Sequence, residues 1–234
     1  MLNLQNSLNG ALESFNPANE PEVDQETINR FTAHYKERFT HYGYDNREPY
    51  NFNAIARYCA LLYAGNMKKG LCLVGDAGRG KTFAFRIMEN LFRLRMFSSI
   101  ELKSRYKVLG DAKRQALYDE MKGNYSNRNQ PAIDCLWKDC CIDDIGTETT
   151  IVDYGEREEC IDTIVQHRSR EFEISGARTH MSFNILLEPL KDAQGNQLSP
   201  KGESAQERYG ARFVSRVHQM CFVIVLRGND RRRD

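Results

Sequence analysis

Eight residues, GDAGRGKT from Gly75 to Thr82, constrain this chain more than any other part of it. They fit the pattern G-x-x-x-x-G-K-[ST]. They also stand where that pattern has to stand, directly after the apolar run GLCLVG and at the start of the helical pattern TFAFRIMENLFRLRM. Glycines let the chain wrap closely round an anion, so that backbone N–H groups and the positive end of the next helix point at it. This phosphate-loop reading assigns Gly75, Asp76, Ala77, Gly78, Arg79, Gly80, Lys81, Thr82 and the adjoining Phe83 to nucleotide binding. Lys81 is expected to neutralise the β- and γ-phosphates, and the Thr82 hydroxyl to help hold Mg2+.

Such a loop needs a sheet behind it. Five runs read as strands covered on both faces: GLCLVG (70–75), SIELKS (99–104), DCCIDDI (139–145), THMSFNIL (179–186) and MCFVIVL (220–226). Helical patterns separate them, so the expected fold is a three-layer α/β/α phosphate-loop domain with a five-stranded parallel sheet. Ahead of it, residues 1–22 are rich in Asn, Glu and Pro and read as a loose leader. A helical pattern from Asp24 to Tyr42 carries Phe31, Tyr35, Phe39 and Tyr42 near one stripe, which packs on its own domain in the preferred reading and docks a partner in the other. A turn and a helix over 52–63 follow. The division is therefore a leader with a short helical, partner-binding segment over 1–50, then the nucleotide domain over 51–234. The chain stops soon after the last strand, so no C-terminal lid domain is expected.

Charge balance limits the partners. With 33 basic and 32 acidic residues the formal charge is +1, so any nucleic-acid surface has to be a local patch. The N-terminal residues lack the Lys or Arg and the apolar core of a signal peptide, and no stretch approaches the ~18 apolar residues of a membrane span. A cytoplasmic protein without a membrane partner is expected. The seven cysteines show no C-x-x-C spacing, and Cys72, Cys140, Cys141 and Cys221 lie in apolar runs, which suits buried small side chains in a reducing compartment. The five histidines lack ligand spacing, so no zinc site is expected.

Three further stretches carry chemistry. In CCIDDIG an apolar strand delivers Asp143 and Asp144 at its C-terminal end, where open α/β sheets keep their ligands. Asp143, 62 residues after Lys81, is expected to hold Mg2+ with Thr82, and Asp144 to polarise an attacking water as general base. THMSFN ends at Asn184, a polar residue placed to bond a γ-phosphate or that water. In ERYGARFVSRV, Arg208, Arg212 and Arg216 recur every four residues, which on one helix sets all three near one face. A face of this kind is either solvated or aimed at an anion. Arg216, and secondarily Arg212, are expected to complete a neighbouring subunit's phosphoryl-transfer site, which demands head-to-tail association in rings or filaments.

Taken together, GDAGRGKT, IDDIGTE, THMSFNIL and YGARFVSRV resemble the motifs of the AAA+ ATPases of the DnaC/IstB group, with the DnaA initiator as a cousin. The resemblance runs from about Asn51 to Arg233 and rests on the order and spacing of all four. It implies a hydrolase using ATP and Mg2+, with Asn184 in the sensor 1 role, that loads or remodels a replication or transposition complex on DNA. Its client would be a helicase or a transposase. Preference for adenine follows from the resemblance alone.

The chain departs from that pattern in three ways. The segment before Asn51 is shorter than a typical helicase-binding module, Phe183 stands where Thr or Ser is usual, and a polar stretch separates Asn184 from the arginines. Lys103, Arg105, Lys107, Lys113 and Arg114, with Tyr106 among them, form either a single-stranded-DNA strip or an ordinary exposed helix. The three arginines at 231–233 read as a solvated tail. The alternative function is a nucleotide-gated adaptor that binds ATP and a client with little hydrolysis. A small-molecule kinase fits the loop but neither Asn184 nor the arginines.

Overall fold

The computed structural model describes residues 24–44, 46–65, 67–108, 138–147, 151–153, 156–158, 160–190, 194 and 204–230. Helices α1 (Gln25–His41) and α2 (Pro49–Tyr63) precede strand β1 (Gly70–Val74). Then come α3 (Lys81–Phe92), β2 (Arg95–Ser98), α4 (Ser99–Val108) and β3 (Cys140–Ile145). A small antiparallel hairpin, β4 (Ile151–Asp153) and β5 (Glu156–Glu158), leads to α5 (Cys160–Ser175) and β6 (Thr179–Phe183). The short α6 (Ala205–Tyr209), α7 (Ala211–Met220) and β7 (Cys221–Val225) complete the order.

The five-stranded sheet runs β2-β3-β6-β1-β7 with every pair parallel, as the sequence leads one to expect. Successive residues of each strand serve opposite faces. In β1, Cys72 and Val74 join a core under α4, α5 and α7, while Leu71 and Leu73 join a second core under α1, α2 and α3. Both faces are therefore apolar, which is why these runs do not alternate. All the cysteines of the described residues are free and buried. Among the described residues no helix is long and apolar enough to cross a membrane.

The second strand lies earlier than its expected place. SIELKS is the start of α4, and the strand is Arg95–Ser98. Ser98 explains the boundary, since its hydroxyl accepts the Glu101 N–H at 3.1 Å, the N-cap bond of an S-x-x-E sequence. Only Leu102 of this stretch is drawn into the core, and Ile100 stays exposed. The last strand likewise begins one residue later than expected, because Met220 still belongs to α7. Helix α2 begins at Pro49, earlier than expected, with proline in the first turn where its missing N–H costs nothing.

The aromatic stripe of α1 packs on its own chain. Tyr35 and Phe39 are buried, Phe31 and Tyr35 meet Tyr63 at 4.9 and 6.3 Å, and Tyr35 stacks on Phe92 of α3 at 5.6 Å. Only Tyr42 faces outward. Asn51 in the first turn of α2 then fastens the far edge of the sheet, donating to the Arg227 carbonyl at 2.9 Å and accepting the Arg227 N–H at 3.0 Å. This brings the segment after β7 back across the C-terminal ends of the strands.

Candidate functional site

The Gly75–Thr82 loop leaves β1 at that C-terminal edge. It is tied to its neighbours on both sides: Gly75 N–H donates to Phe183 O of β6 at 3.2 Å, and Leu226 N–H donates to Val74 O at 2.7 Å. Gly80 ends the loop in the left-handed region, φ 84°, as the residue capping α3. A side chain there would also press on the Tyr44 ring, 3.3 Å from where its Cβ would lie. Tyr44 in turn stacks on Phe83 with ring centroids 6.0 Å apart. Gly78 is left-handed too, φ 79°, and its missing Cβ leaves the space taken by the Asp230 carboxylate.

Two of the loop's variable residues brace it from within. Asp76 and Arg79 form an ion pair, and Arg79 Nη1 donates to Leu226 O at 2.6 Å. Lys81, the first residue of α3, is only 4% exposed. Its ammonium curls back beneath the loop and donates to Gly75 O at 2.6 Å and Asp76 O at 2.7 Å. Burial lowers its pKa to about 8, against the opposing pull of Asp144 and Asp143.

Both carboxylates sit where the sequence puts them, but they differ in surroundings. Asp143 is 3% exposed and accepts hydroxyl hydrogen bonds from Ser182 and Thr82. Burial raises its pKa, the two hydroxyls oppose that, and Asp144 adds to it. Asp144 lies at a β-bulge. Between the pairs Ile142–Met181 and Ile145–Phe183, β3 spends one residue more than β6. The extra residue puts Asp144 in the left-handed region at φ 58°, uncommon for a residue with a side chain and tolerated best by Asp and Asn. Ser182 Oγ accepts the Asp144 N–H at 2.9 Å, and Asn184 Nδ2 donates to Asp144 Oδ1 at 2.8 Å. Three donors close on the Asp144 carbonyl: Ser99 Oγ at 2.8 Å, Thr147 Oγ1 at 2.7 Å and Thr147 N at 3.3 Å.

Lys81, Thr82, Asp143, Asp144 and Asn184 thus converge at the ends of β1, β3 and β6. Ser182 is the member that the sequence patterns do not single out. It lies inside an apolar strand, and a polar residue between Met181 and Phe183 is the only signal available. Phe183 itself belongs to the core, edge-on to Phe213 of α7 at 6.1 Å.

The arginines do not share one face. Gly210, with φ 91° and ψ 164°, separates α6 from α7, so the spacing of four does not continue through one helix. Arg208 turns to the Gly146 carbonyl, 2.8 Å away, while Arg212 is exposed. Arg216 pairs with Asp162 of α5 at 3.6 Å, about a quarter of its side chain remaining exposed. It lines an open cavity of about 460 Å3 with Arg170, His167 and Gln219, and so faces α5 rather than the Lys81 group. Lys103 is half-buried on α4. The side chains of Arg105, Tyr106 and Lys107 and all of Lys113, Arg114 and 231–233 lie outside the described residues, as does most of the polar stretch 191–203.

The donor set is chemically coherent. Lys81 and the N–H groups of a glycine-rich loop are suited to an oxyanion, and a buried carboxylate beside a threonine hydroxyl to a small hard cation. Fold and site together define a three-layer α/β/α protein with a glycine-rich loop at the carboxyl edge of a parallel sheet. No protein-family profile and no curated protein matches the chain.

Proposed function

We propose that the protein is an ATPase of the AAA+ kind, resembling DnaC and IstB, which assembles head to tail on DNA and loads or remodels a replication or transposition complex. One observation carries the reading: Lys81 and Thr82 of the loop after β1 lie together with Asp143 and Asp144 of β3 and Asn184 at the end of β6. Lys81 exchanges its two loop carbonyls for the β- and γ-phosphates of ATP. Thr82 and Asp143 are the residues that would hold Mg2+, and a buried carboxylate with a second carboxylate and a threonine hydroxyl beside it fits a dication. When bound, Mg2+ neutralises and orients the phosphates. Asp144, set in the left-handed region by the bulge, accepts the proton of the attacking water, and Asn184 fixes that carboxylate. Arg216, with Arg212 beside it, supplies positive charge to a neighbouring subunit's γ-phosphate, a contribution of ~10³–10⁵ in rate where it operates. Single-stranded DNA and a helicase or transposase are the partners in this reading, in the cytoplasm.

The test is ATP turnover per subunit against protein concentration, with and without single-stranded DNA. A rate that climbs steeply with concentration and rises with DNA supports sites completed between subunits, and Arg216→Ala should then keep ATP binding and lose the stimulated turnover. A flat, DNA-indifferent rate refutes it. The second reading, a nucleotide-gated adaptor with little hydrolysis, is favoured by Arg216 being held by Asp162 within its own chain. ATP-dependent assembly without turnover would select it.

A further inference from the structure

We infer that Arg208 is a positioning residue for Asp144, acting within its own subunit through the backbone carbonyl of Gly146; the inference rests on the ATPase reading of the site. Arg208 belongs to the same basic run as Arg212 and Arg216, yet it goes elsewhere. Its Nη1 donates to Gly146 O at 2.8 Å, across 62 residues of sequence, and its guanidinium lies 5.1 Å from the Tyr209 ring.

Gly146 is part of the turn that sets the direction of Asp144. The Thr147 N–H returns to Asp144 O at 3.3 Å, closing a four-residue turn in which Asp144 and Gly146 both have positive φ. Gly146 adopts its φ of 98° at that place in a turn without cost, whereas Asp144 is a residue with a side chain in the left-handed region, and the bonds around the turn hold it there. On the Asp144 carbonyl the holding groups are Ser99 and Thr147. On the Gly146 carbonyl the group is Arg208, and a guanidinium donor makes a stronger bond than a neutral one.

The platform under Arg208 is itself anchored. Helix α6 starts with a reciprocal cap between Ser204 and Glu207, and its first N–H groups donate to Leu186 O at 2.7 Å and Leu187 O at 2.9 Å. The chain just past β6 therefore carries α6, α6 carries Arg208, and Arg208 fixes the turn after β3. Because α7 follows α6 after the single residue Gly210, the helix bearing Arg216 is joined to the turn bearing Asp144 by a short, fastened path. A displacement of α7 on assembly has a route to the subunit's own carboxylate.

The experiment compares the full chain with Arg208→Gln and Arg208→Lys in two measurements: steady-state ATP turnover under assembling conditions, and amide hydrogen exchange of the 140–147 segment. Arg208→Gln is expected to lower kcat about ten- to a hundred-fold with KM nearly unchanged, the signature of a displaced reacting group, and to speed exchange at Thr147. Lysine keeps a charged donor, so Arg208→Lys should recover most of both effects, and unchanged urea midpoints in the two variants will exclude general unfolding. A rise in KM that accounts for the loss would place Arg208 on the nucleotide and overturn the inference. Unaltered kcat and exchange would also overturn it. Should the wild-type chain bind ATP without turning it over, the ATPase reading fails, and exchange at Thr147 alone then decides: faster in Arg208→Gln sustains the bracing role, unchanged refutes it.

Discussion

Ser182→Ala is the most searching single substitution for this site. The hydroxyl serves two groups at once, donating to the buried carboxylate of Asp143 and accepting the Asp144 N–H at 2.9 Å. Removing it leaves Thr82 as the remaining hydroxyl on a carboxylate that is 3% exposed, and strips the acceptor from the amide of a residue in a strained conformation. A hydrogen bond to a charged group is worth about 1.5–3 kcal/mol and an orphaned buried N–H costs about 1–3, so a loss of about 3 kcal/mol is expected near neutral pH after partial relaxation. The charge part has a definite pH signature. Asp143 already has a pKa raised above 3.8 in the fold, so its ionisation opposes folding at neutral pH, and that opposition fades as pH falls and the folded state takes up the proton. The serine bond lowers the pKa, so its loss raises it further and enlarges the penalty in neutral solution. Urea unfolding of both proteins at about pH 7.5 and about pH 5 measures this, and the gap between them should narrow in acid. A gap below about 1 kcal/mol, or one that widens in acid, would refute the assignment of Ser182 as the bridge between the Asp143 carboxylate and the Asp144 amide.

Three further outcomes test other parts of the structure. Gly80→Ala forces a side chain into φ 84° against the Tyr44 ring and should cost about 1–2 kcal/mol in thermal unfolding as well as weakening ATP binding; unchanged stability would show that the loop's backbone is misread. Lys81, with its pKa lowered to about 8, should lose charge in mild alkali, so ATP affinity by titration calorimetry should weaken above about pH 8 in the wild type and less so in Lys81→Arg. Burial also holds His180 at about 3 and His167 at about 4, well under the ordinary 6.5, so the unfolded chain takes up protons between pH 6.5 and 4.5 that the folded chain does not. Their joint contribution should be lost progressively over that interval, about 5 kcal/mol by pH 4.5, and urea midpoints that do not fall there would contradict the burial of these rings.

What was legible in the sequence is what depends on local composition. A strand with apolar residues on both faces announces itself without reference to its neighbours, and GDAGRGKT and IDDIG follow from strand ends and turn chemistry alone. The displacement of the second strand shows the limit, since SIELKS carries two signals that compete. Ile100 and Leu102 suggest a β-run, while Ser98 and Glu101 form a helix start, and the capping bond prevails because only Leu102 reaches the core. His180 is another case. Its Nδ1 accepts the Leu71 N–H at 3.2 Å beside the rings of Tyr58 and Phe85, which no spacing along the chain reveals. The Arg79 bond to Leu226 is equally hidden, because it depends on the segment after β7 returning over the loop.

The arginine run makes the same point in a form that bears on function. Period four implies a common face only along one uninterrupted helix, and Gly210 resets the phase between Arg208 and Arg212. Glycine is what permits that break, since φ 91° with ψ 164° is closed to other residues. The consequence is a division of labour among like side chains: Arg208 is turned inward to the Gly146 carbonyl, Arg212 outward, and Arg216 toward Asp162. A continuous helix would have committed all three to a single surface. The break instead lets one short segment reach the Gly146 turn through Arg208 and α5 through Arg216, so that like side chains on adjoining helices hold different parts of the fold.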